Sequence, residues 1–313
     1  MSRHLGVGKE TTYGTGVAPV VYFDIVSESL ASKHNDEEIK TIRTWSSRQY
    51  ETLSVSWSGD IEVIANFHDI GILLKHFFGG VTTTGAADPW THTFPPTTGI
   101  PAAGRDGLSL TSEVQRDATA TTWRYDGGKI TGFGFTAAAD SLPKFSFSLM
   151  GKGEGTGTAG TPSYETWAPM LSKHIAVTFD GTALDAQSVN LNASFPVDEP
   201  SVLGSIEFGK EPTENDVLAV SGDVTVYFED LVQYNKFDTL ADVDIQIKVT
   251  DTASRDLEFN LNKCRLTEAT PAVSGRERLM ATYNFVSYYD TDATENLQIV
   301  LKNDSDEVAS AAW

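Results

Sequence analysis

The chain has 313 residues, enough for two domains of ordinary size, and a formal net charge of −20 at pH 7. Residues 1–155 hold 17 acidic and 13 basic side chains, a net charge of −4, whereas residues 156–313 hold 26 and 10, a net charge of −16. Without clustered Lys and Arg, a nucleic-acid binder that grips phosphates is excluded, and without a run of about 18 apolar residues no membrane span is predicted. The single Cys264 excludes an internal disulfide and is typical of the reducing cytoplasm.

The first 52 residues are predicted to form an arm, a strand and a long polar segment. Residues 1–20 are rich in Gly and Thr and are expected to be an arm, and the first strand begins at Val20. Residues 33–52 are polar and charged, with Trp45 isolated among them. The segment is longer than a tight hairpin connection needs, so it is either a functional loop or a projecting hairpin.

Strict alternation of apolar and polar residues predicts antiparallel strands with one wet face. Residues 53–63 place apolar side chains such as Leu53 at odd positions and polar side chains at even positions. Residues 144–150 and 243–249 alternate in the same way. These segments are therefore expected to cover a core on one side and to face solvent on the other.

Helical spacing of apolar residues follows the first alternating segment and returns more weakly in the second half. The stronger pattern runs from Phe67 to Phe78 and stops at Gly79-Gly80, which predicts a helix with a glycine terminator. The weaker pattern comprises Phe228, Leu231, Val232 and Phe237. Between the two, residues 81–107 are rich in Thr, Gly and Pro and are predicted to form a long loop without a counterpart in the second half.

The chain repeats itself. The hexapeptide that begins at Ser58 returns at Ser221, in the order Ser58-Gly59-Asp60-Ile61-Glu62-Val63 and Ser221-Gly222-Asp223-Val224-Thr225-Val226. A second echo has its own constant spacing: Ile130, Thr131, Phe147 and Leu149 correspond to Leu266, Thr267, Tyr283 and Phe285. Residues 198–217 likewise correspond to residues 33–52. The Ser58-to-Ser221 spacing and the Ile130-to-Leu266 spacing together indicate a duplicated structural unit.

These patterns predict a mainly β fold with two tandem β-sandwich or β-barrel domains, each with one flanking α-helix. The first domain is expected to span residues 1–152, including the N-terminal arm, and the second to span residues 163–313. The glycine-rich residues 153–162 are expected to link them.

No catalytic, cofactor-binding or metal site is predicted. Residues 155–160 match the Gly-x-Gly-x-x-Gly dinucleotide fingerprint, but no amphipathic helix follows, and a linker is the better interpretation. His68 and His76 lie two helical turns apart without a third ligand at a recognisable spacing. No nucleophile occupies a Gly-x-Ser-x-Gly setting.

The opening of the chain resembles that of the tail tube proteins, or major tail proteins, of long-tailed phages. The matching residues are Leu5-Gly6-Val7-Gly8-Lys9-Glu10-Thr11-Thr12-Tyr13-Gly14-Thr15, followed by Val17-Ala18-Pro19-Val20. The acidic stretch Asp36-Glu37-Glu38, the Ser58-Gly59-Asp60 strand and the Leu73-Leu74-Lys75 helix ending at Gly79 also match. The resemblance is specific over about residues 5–80 and rests on architecture beyond them.

The resemblance implies a structural protein without enzymatic activity or cofactors. Each tail-tube-like domain is a β-sandwich or barrel with one helix, and six domains close a ring whose inner wall is a continuous β-barrel. In members with two domains per chain, three chains form a ring with pseudo-sixfold symmetry. The implied partners are other copies of the chain, double-stranded DNA and tape measure protein passing through the lumen, and tail terminator and distal tail proteins. Synthesis in the host cytoplasm and a final place in the virion tail are implied, with no membrane.

In such a ring, the polar strand faces are expected to line the lumen, where acidic and hydroxyl groups give phosphates no hold. The lumen candidates are Ser56, Ser58, Asp60, Glu62, Ser221, Asp223 and Thr225. Contacts between rings or subunits are expected at Asp36, Glu37, Glu38, Trp45, Asp198, Glu199 and Trp313. The alternatives are an ordinary solvated sheet face for the first set and, for Trp45, packing on its own domain.

Two other functions compete with a tube subunit. A β-sandwich component of the virion that binds a receptor or carbohydrate needs clustered exposed aromatic side chains, whereas Trp90, Trp123 and Trp167 are scattered along the chain. A hydrolase on a β scaffold needs a catalytic cluster, and none is recognisable.

Overall fold

The computed structural model describes most of the chain. The described residues are 3–43, 45–46, 49–85, 88–95, 108–117, 121–158, 160–164, 168–208, 210–252, 254–271, 278–290 and 295–304. Within them, strands dominate and two α-helices occur, α1 at Ile70–Phe78 and α2 at Val232–Asp238. This confirms the predicted mainly β fold class.

Eleven strands precede residue 160 and eight follow it in the described part of the chain. The first set is β1 His4–Lys9, β2 Val21–Phe23, β3 Ile25–Glu28, β4 Ala31–Ile39, β5 Gln49–Ile64, β6 Thr82–Thr84, β7 Trp90–Phe94, β8 Leu110–Gln115, β9 Thr121–Ala138, β10 Lys144–Gly151 and β11 Gly153–Thr158. The second set is β12 Ile175–Phe179, β13 Thr182–Leu184, β14 Ala186–Ser194, β15 Ala219–Tyr227, β16 Asp242–Thr252, β17 Arg255–Glu268, β18 Met280–Ser287 and β19 Gln298–Asn303.

The first half has two β layers that share the long strand β9. The N-terminal part of β9 pairs with β8 and β11, and β8 continues to β1 and β2. The C-terminal part of β9 pairs with β10, which continues to β5 and then to β3 and β4. Gly127, at a φ of 69°, lies between the two parts and supplies a backbone conformation that side chains disfavour.

The second half repeats this plan strand for strand. Its shared strand is β17, which pairs with β16 and β19 in one part and with β18 in the other. Strand β16 continues to β12 and β13, and β18 continues to β15 and β14. Helix α1 follows β5 and helix α2 follows β15, so each half carries one helix at the same place.

The strand register is identical in the two halves. Asp60 pairs with Ser148 across β5 and β10, and Asp223 pairs with Asn284 across β15 and β18. The Ser58-to-Ser221 spacing relates the two aspartates, and the Ile130-to-Leu266 spacing relates their partners. Since a slip of one residue would turn every side chain to the opposite face, equal register means that corresponding side chains face the same way.

An irregularity in the shared strand is also repeated. Strand β9 shifts register against β10 between Ser148 and Leu149, and β17 shifts against β18 between Leu266 and Glu268. At this bulge, the hydroxyl of Thr131 donates to the carbonyl oxygen of Ser148 at 3.2 Å. The hydroxyl of Thr267 makes the corresponding bond to the carbonyl oxygen of Asn284, also at 3.2 Å.

The two halves are joined by direct strand pairing. We call the layer that contains β3, β4, β5, β10 and the C-terminal part of β9 the inner layer of the first half, and the layer that contains β14, β15, β18 and the C-terminal part of β17 the inner layer of the second half. Residues 132–138 of β9 pair with residues 188–194 of β14 in antiparallel register, and the two inner layers thereby form one sheet. Phe259 of β17 packs on Phe135 at a ring separation of 5.0 Å and on Phe145 at 6.2 Å. The buried apolar residues of both halves consequently form one contiguous core.

The segment peculiar to the first half reaches the second half. Residues 82–84 and 90–94 form the short hairpin β6–β7 inside the predicted loop 81–107. Strand β7 pairs with β19, so the hairpin extends a sheet of the second half. The side chain of Asn303 on β19 also donates to the carbonyl oxygen of Phe67 at 2.9 Å.

The structure differs from the sequence expectations in the predicted arm and in the predicted linker. Residues 4–9 of the expected arm form strand β1, which pairs with β8 and places Leu5 and Val7 in the core, so the first strand begins at His4 and not at Val20. Residues 153–158 form strand β11 on β9, because alternating Gly and Thr leave room for neighbouring side chains. A Cβ at Gly153 would lie 2.9 Å from the carboxylate of Glu207. The division into domains at residues 153–162 stays a proposal.

Three expected core positions lie on the surface. Leu53 is 51% exposed because β5 extends with β4 as a projecting hairpin, and its inward face covers the core only from Trp57 onward. The segment 33–52 is therefore a projecting hairpin rather than an irregular loop. In α2, Leu231 and Val232 are exposed and Gln233 is buried, so the weak helical pattern placed the apolar face incorrectly.

The repeated glycine has a steric origin. A Cβ at Gly59 would lie less than 3.0 Å from the carbonyl oxygen of Ser29, between β3 and β4, and a Cβ at Gly222 would lie equally close to the carbonyl oxygen of Asn190 on β14. Glycine allows this close approach of two backbones. The recurrence of Ser-Gly-Asp thus reflects the same packing in both halves.

We expect Gly59→Ala and Gly222→Ala each to lower the free energy of unfolding by about 1–3 kcal/mol, since the added methyl group overpacks the strand contact. Urea denaturation followed by circular dichroism measures the change. Gly155→Ala is the matched control, because no atom lies within 4 Å of its Cβ position. Wild-type stability in both test variants would contradict the steric role.

Candidate lumen and assembly surfaces

The predicted lumen residues lie on one face of the joined sheet. On β5, Ser56, Ser58 and Glu62 are partly exposed and Asp60 is exposed. On β15, Ser221 is exposed, and Asp223 and Thr225 are partly exposed. The intervening residues Ile61 and Val224 are buried, as period-two alternation requires.

Strand register shows that these residues belong to one continuous surface. Directly opposite residues of antiparallel neighbours project to the same side of a sheet. From β5 to β18, one row of such neighbours is Glu62, Ser146, Gly134, Asn192, Ser221 and Val286. We call this surface, which runs across the inner layers of both halves, the polar face.

The acidic groups of the first half have hydrogen-bond partners on this face. The hydroxyl of Ser148 donates to the Asp60 carboxylate at 2.6 Å. The ammonium group of Lys144 lies 2.8 Å from the Glu62 carboxylate. A positive charge and a hydroxyl thus offset part of the acidic character of β5.

The second half uses neutral partners instead. The side-chain amide of Asn190 donates to both carboxylate oxygens of Asp223, at 3.0 and 2.9 Å. The hydroxyl groups of Thr225 and Thr282 lie 3.0 Å apart. These bonds hold short polar side chains across adjacent strands and leave the polar face rich in hydroxyl, amide and carboxylate groups.

The arrangement provides little for chemistry. In the ranges that the structure describes, no group of three or more His, Cys, Asp or Glu side chains is placed to hold a metal ion. His76 is buried in α1, and its Nδ1 lies 3.2 Å from the carbonyl oxygen of Leu108. Burial lowers the pKa of His76 to about 3, which keeps the imidazole neutral.

The acidic residues of the first predicted contact segment lie along β4. Asp36, Glu37 and Glu38 pair with residues 50–52 of β5, and the hydroxyl of Thr52 donates to Asp36 at 2.7 Å. Trp45 lies at the tip of this hairpin and is fully exposed. The alternative that Trp45 packs on its own domain therefore does not apply to the single chain.

The corresponding residues of the second half have a different setting. Asp198 accepts a hydrogen bond from the backbone N–H of Thr213 at 2.7 Å, closing the base of the segment 198–217. Glu199 is exposed beside it. Asp198 thus bonds within its own segment, just as Asp36 bonds within the β4–β5 hairpin. Trp313 lies outside the described residues.

Sequence reasoning missed several members of the polar face. Asn190 and Asn192 lie on β14, a strand that the repeat did not mark, and Asn is not a typical strand residue. Gly134 was also missed, although a Cβ there would lie 2.7 Å from the hydroxyl of Ser146 and 3.0 Å from the Asn192 side chain. The alternation of β14, with Val189 and Leu191 buried, is the signal that identifies it.

The match to a known family agrees with this geometry. A family model described as phage tail tube protein matches residues 2–287, which cover both halves. No curated protein matches the chain. Neither helix in the described residues is long and apolar enough to cross a bilayer. The chain therefore belongs to the phage tail tube protein family, which is structural rather than a class of enzymes, places the chain in the virion tail and implies self-assembly into a tube.

Proposed function

We propose that three copies of this chain close each ring of the tube, and that stacked rings form a conduit through which DNA is ejected. The observation that carries the proposal is the joined sheet, in which two halves of equal register present one polar face. A chain with two equivalent units supplies two of six ring positions. The role requires no catalytic step and no cofactor.

The edges of the joined sheet support closure. At one end, β3 and β4 pair with the same side of β5, and Val26 on β3 is 46% exposed. At the other end, residues 266–268 of β17 pair with β18 on one side, and no strand among the described residues pairs with their other side. Pairing of these edges between chains would repeat the β9–β14 junction and remove two open edges.

Side-chain volumes at the junction support the same contact. Inside the chain, Phe259 packs on Phe145 at a ring separation of 6.2 Å. The Ile130-to-Leu266 spacing places Trp123 at the position of Phe259 and Ala281 at that of Phe145. A larger aromatic side chain would therefore meet a smaller partner between chains, which compensates in part for the phenyl ring that Ala281 lacks.

The expected size of the ring suits a channel. The inner layer contributes eight strand positions per chain, with β3 and β4 sharing one, so three chains give a barrel of about 24 strands. At a spacing of about 4.8 Å and a tilt of about 40°, this barrel has a backbone diameter of about 50 Å. Barrels of about 16–18 strands already enclose water, so a wider barrel can pass a DNA duplex.

The polar face suits rapid passage because hydroxyl, amide and carboxylate groups dominate it. Its cations Lys33, opposite Ser56, and Arg265, opposite Val286, lie on the edge strands, and Arg265 is paired with Asp242. Lys144, which lies on this face, is paired with Glu62. Carboxylates such as Asp60 repel phosphates, while hydroxyl and amide groups bind water readily. Double-stranded DNA and tape measure protein are the proposed lumen contents, and tail terminator and distal tail proteins the proposed partners at the tube ends.

We expect isolated rings to contain three chains and to show six similar wall features by electron microscopy. Native mass spectrometry of single rings gives the number of chains directly. The expected mass is three times that of the chain, because each chain fills two ring positions. A ring of six chains, or a homogeneous monomer at every concentration tested, would contradict the proposal.

We expect virions carrying both Asp60→Lys and Asp223→Lys to eject DNA about 10-fold more slowly at low salt, because six added ammonium groups per ring bind phosphates. Raised salt should restore the rate. Ejection is measured by the fluorescence of a DNA-binding dye after receptor-triggered opening. The double Asn variant removes the carboxylates without adding cations and should eject at the wild-type rate. An unchanged rate of DNA ejection in the Lys variant would contradict the assignment of Asp60 and Asp223 to the lumen.

A further inference from the structure

The segment 198–217 of the second half is fastened to the first half of the same chain. The backbone N–H of Val55 donates to the carbonyl oxygen of Ile206 at 2.7 Å. The Glu207 carboxylate lies 3.7 Å from the ammonium group of Lys152, and Glu211 forms an ion pair with the buried Lys129. Each of these partners lies on β5, β9 or the β10–β11 connection, so the segment covers one end of the inner layer of the neighbouring half.

An aromatic side chain is buried in this segment, next to the residues that make the contact. Phe208 lies between Glu207 and Glu211 in the sequence and is only 2% exposed. The Ser58-to-Ser221 spacing, which aligns the two Ser-Gly-Asp motifs, places Trp45 at the position of Phe208. Trp45 is fully exposed in the single chain. The same position therefore carries a buried aromatic side chain in the second half and an uncovered one in the first.

The equivalent receiving surface lies on the second half. By the Ser58-to-Ser221 spacing, Val55 corresponds to Leu218. By the Ile130-to-Leu266 spacing, Lys129 corresponds to Arg265 and Gly153 corresponds to Tyr289. Next to these positions, Val217 is 77% exposed, and Tyr289 itself is 59% exposed. Val220 pairs with Ser287, so Val217 and Tyr289 lie at the same end of the β15–β18 pair. We call the surface formed by Val217, Arg265 and Tyr289 the receiving patch.

Both surfaces carry charged groups of both signs, and the hairpin residues 33–52 include four acidic and four basic side chains. The hairpin β4–β5 carries Asp36, Glu37 and Glu38 along one strand. The receiving patch contains Arg265, which also pairs with Asp242 at 2.9 Å, and Lys263 lies nearby with its ammonium group 5.2 Å from the ring of Tyr288. The ion pairs of the within-chain contact are not repeated position by position, because the Ser58-to-Ser221 spacing places Thr44 and Arg48 at the positions of Glu207 and Glu211. The aromatic side chain is therefore the feature that the two contacts share.

We propose that in each ring the β4–β5 hairpin packs on the second half of the adjacent chain, with Trp45 buried against the receiving patch as Phe208 is buried within the chain. This inference rests on the ring proposed above. The occupant of the receiving patch is a second copy of this chain in the same ring, in contrast to the expectation that the hairpin joins one ring to the next. An exposed Trp is well suited to such a contact, since buried Trp side chains dominate the binding energy of many interfaces.

A disulfide between Trp45→Cys and Tyr289→Cys tests the contact. We expect oxidation of purified single rings to link chains covalently into dimers and trimers, seen on a non-reducing gel. The native Cys264 does not interfere, because it is buried, and burial raises the pKa of its thiol to about 12. Leu203→Cys combined with Trp45→Cys is the control, since Leu203 is also fully exposed but lies outside the receiving patch, and it should give no links.

The outcomes separate the contact from the ring itself. Links in single rings support the contact. Links that form only in stacked tubes overturn it, because the hairpin then joins rings. Rings of three chains without links also overturn it and leave the proposed function standing. Failure of the wild-type chain to form any ring defeats the proposed function, and this contact with it.

We expect Trp45→Ala to leave the unfolding curve of the single chain unchanged and to raise the concentration needed for ring assembly at least about 10-fold. Phe208→Ala should lower the stability of the single chain, because it empties a buried site. Leu203→Ala should change neither quantity, although it removes an equally exposed apolar side chain. Ring assembly of Trp45→Ala at the wild-type concentration, measured by light scattering, would overturn the contact.

Discussion

The antiparallel pairing of β9 with β14 is the constraint on which the rest of the structure depends. It turns two inner layers into one sheet, fixes their faces on the same side and leaves the sheet with one open edge at each end. Gly132 and Gly134 lie on β9 at this junction, and the Asn192 side chain approaches the position of a Gly134 Cβ. Small residues at the junction thus let polar groups from the two halves converge on a single surface. An open edge is a liability in a monomer and an assembly contact in a ring.

Sequence patterns predicted the structural features that interactions between neighbouring residues determine. Alternation identified the face of β5 that carries Asp60, and the same repeat located Asp223, because a strand buried on one side imposes a period of two. Helix α1 was also predictable, since Gly79 ends it at a φ of 82°. The hydrogen-bond partner Asn190 was not predictable, because an Asn in a strand carries no local sign of the residue opposite it. The polar face was therefore found only in part.

Contacts between distant parts of the chain had no signal in the sequence. The strongest case is Glu10, which is buried and accepts hydrogen bonds from Ser109, Thr111 and the backbone N–H groups of Gly14 and Gly127. The motif around Glu10 was recognised only by resemblance, whereas the structure gives its physical basis. A buried carboxylate must be satisfied by donors, and these donors come from three separated segments that the carboxylate holds together. The pairing of β7 with β19 was not predictable from the sequence either, because no local pattern relates residues so far apart in the chain.

In the proposed ring, the two halves would meet at two unequal kinds of junction, and some of the differences between them fit this inequality. Within the chain, the junction is reinforced by the hairpin β6–β7 on β19 and by the bond from Asn303 to Phe67. The corresponding connection after α2 is only a few residues long, so no equivalent hairpin crosses from the second half. The proposed junction between chains must instead use separable contacts, such as the exposed aromatic side chain of Trp45. Duplication would thus make three junctions of each ring permanent and leave three to form during assembly, and the buried Phe208 and the exposed Trp45 at the same position fit these two kinds of junction.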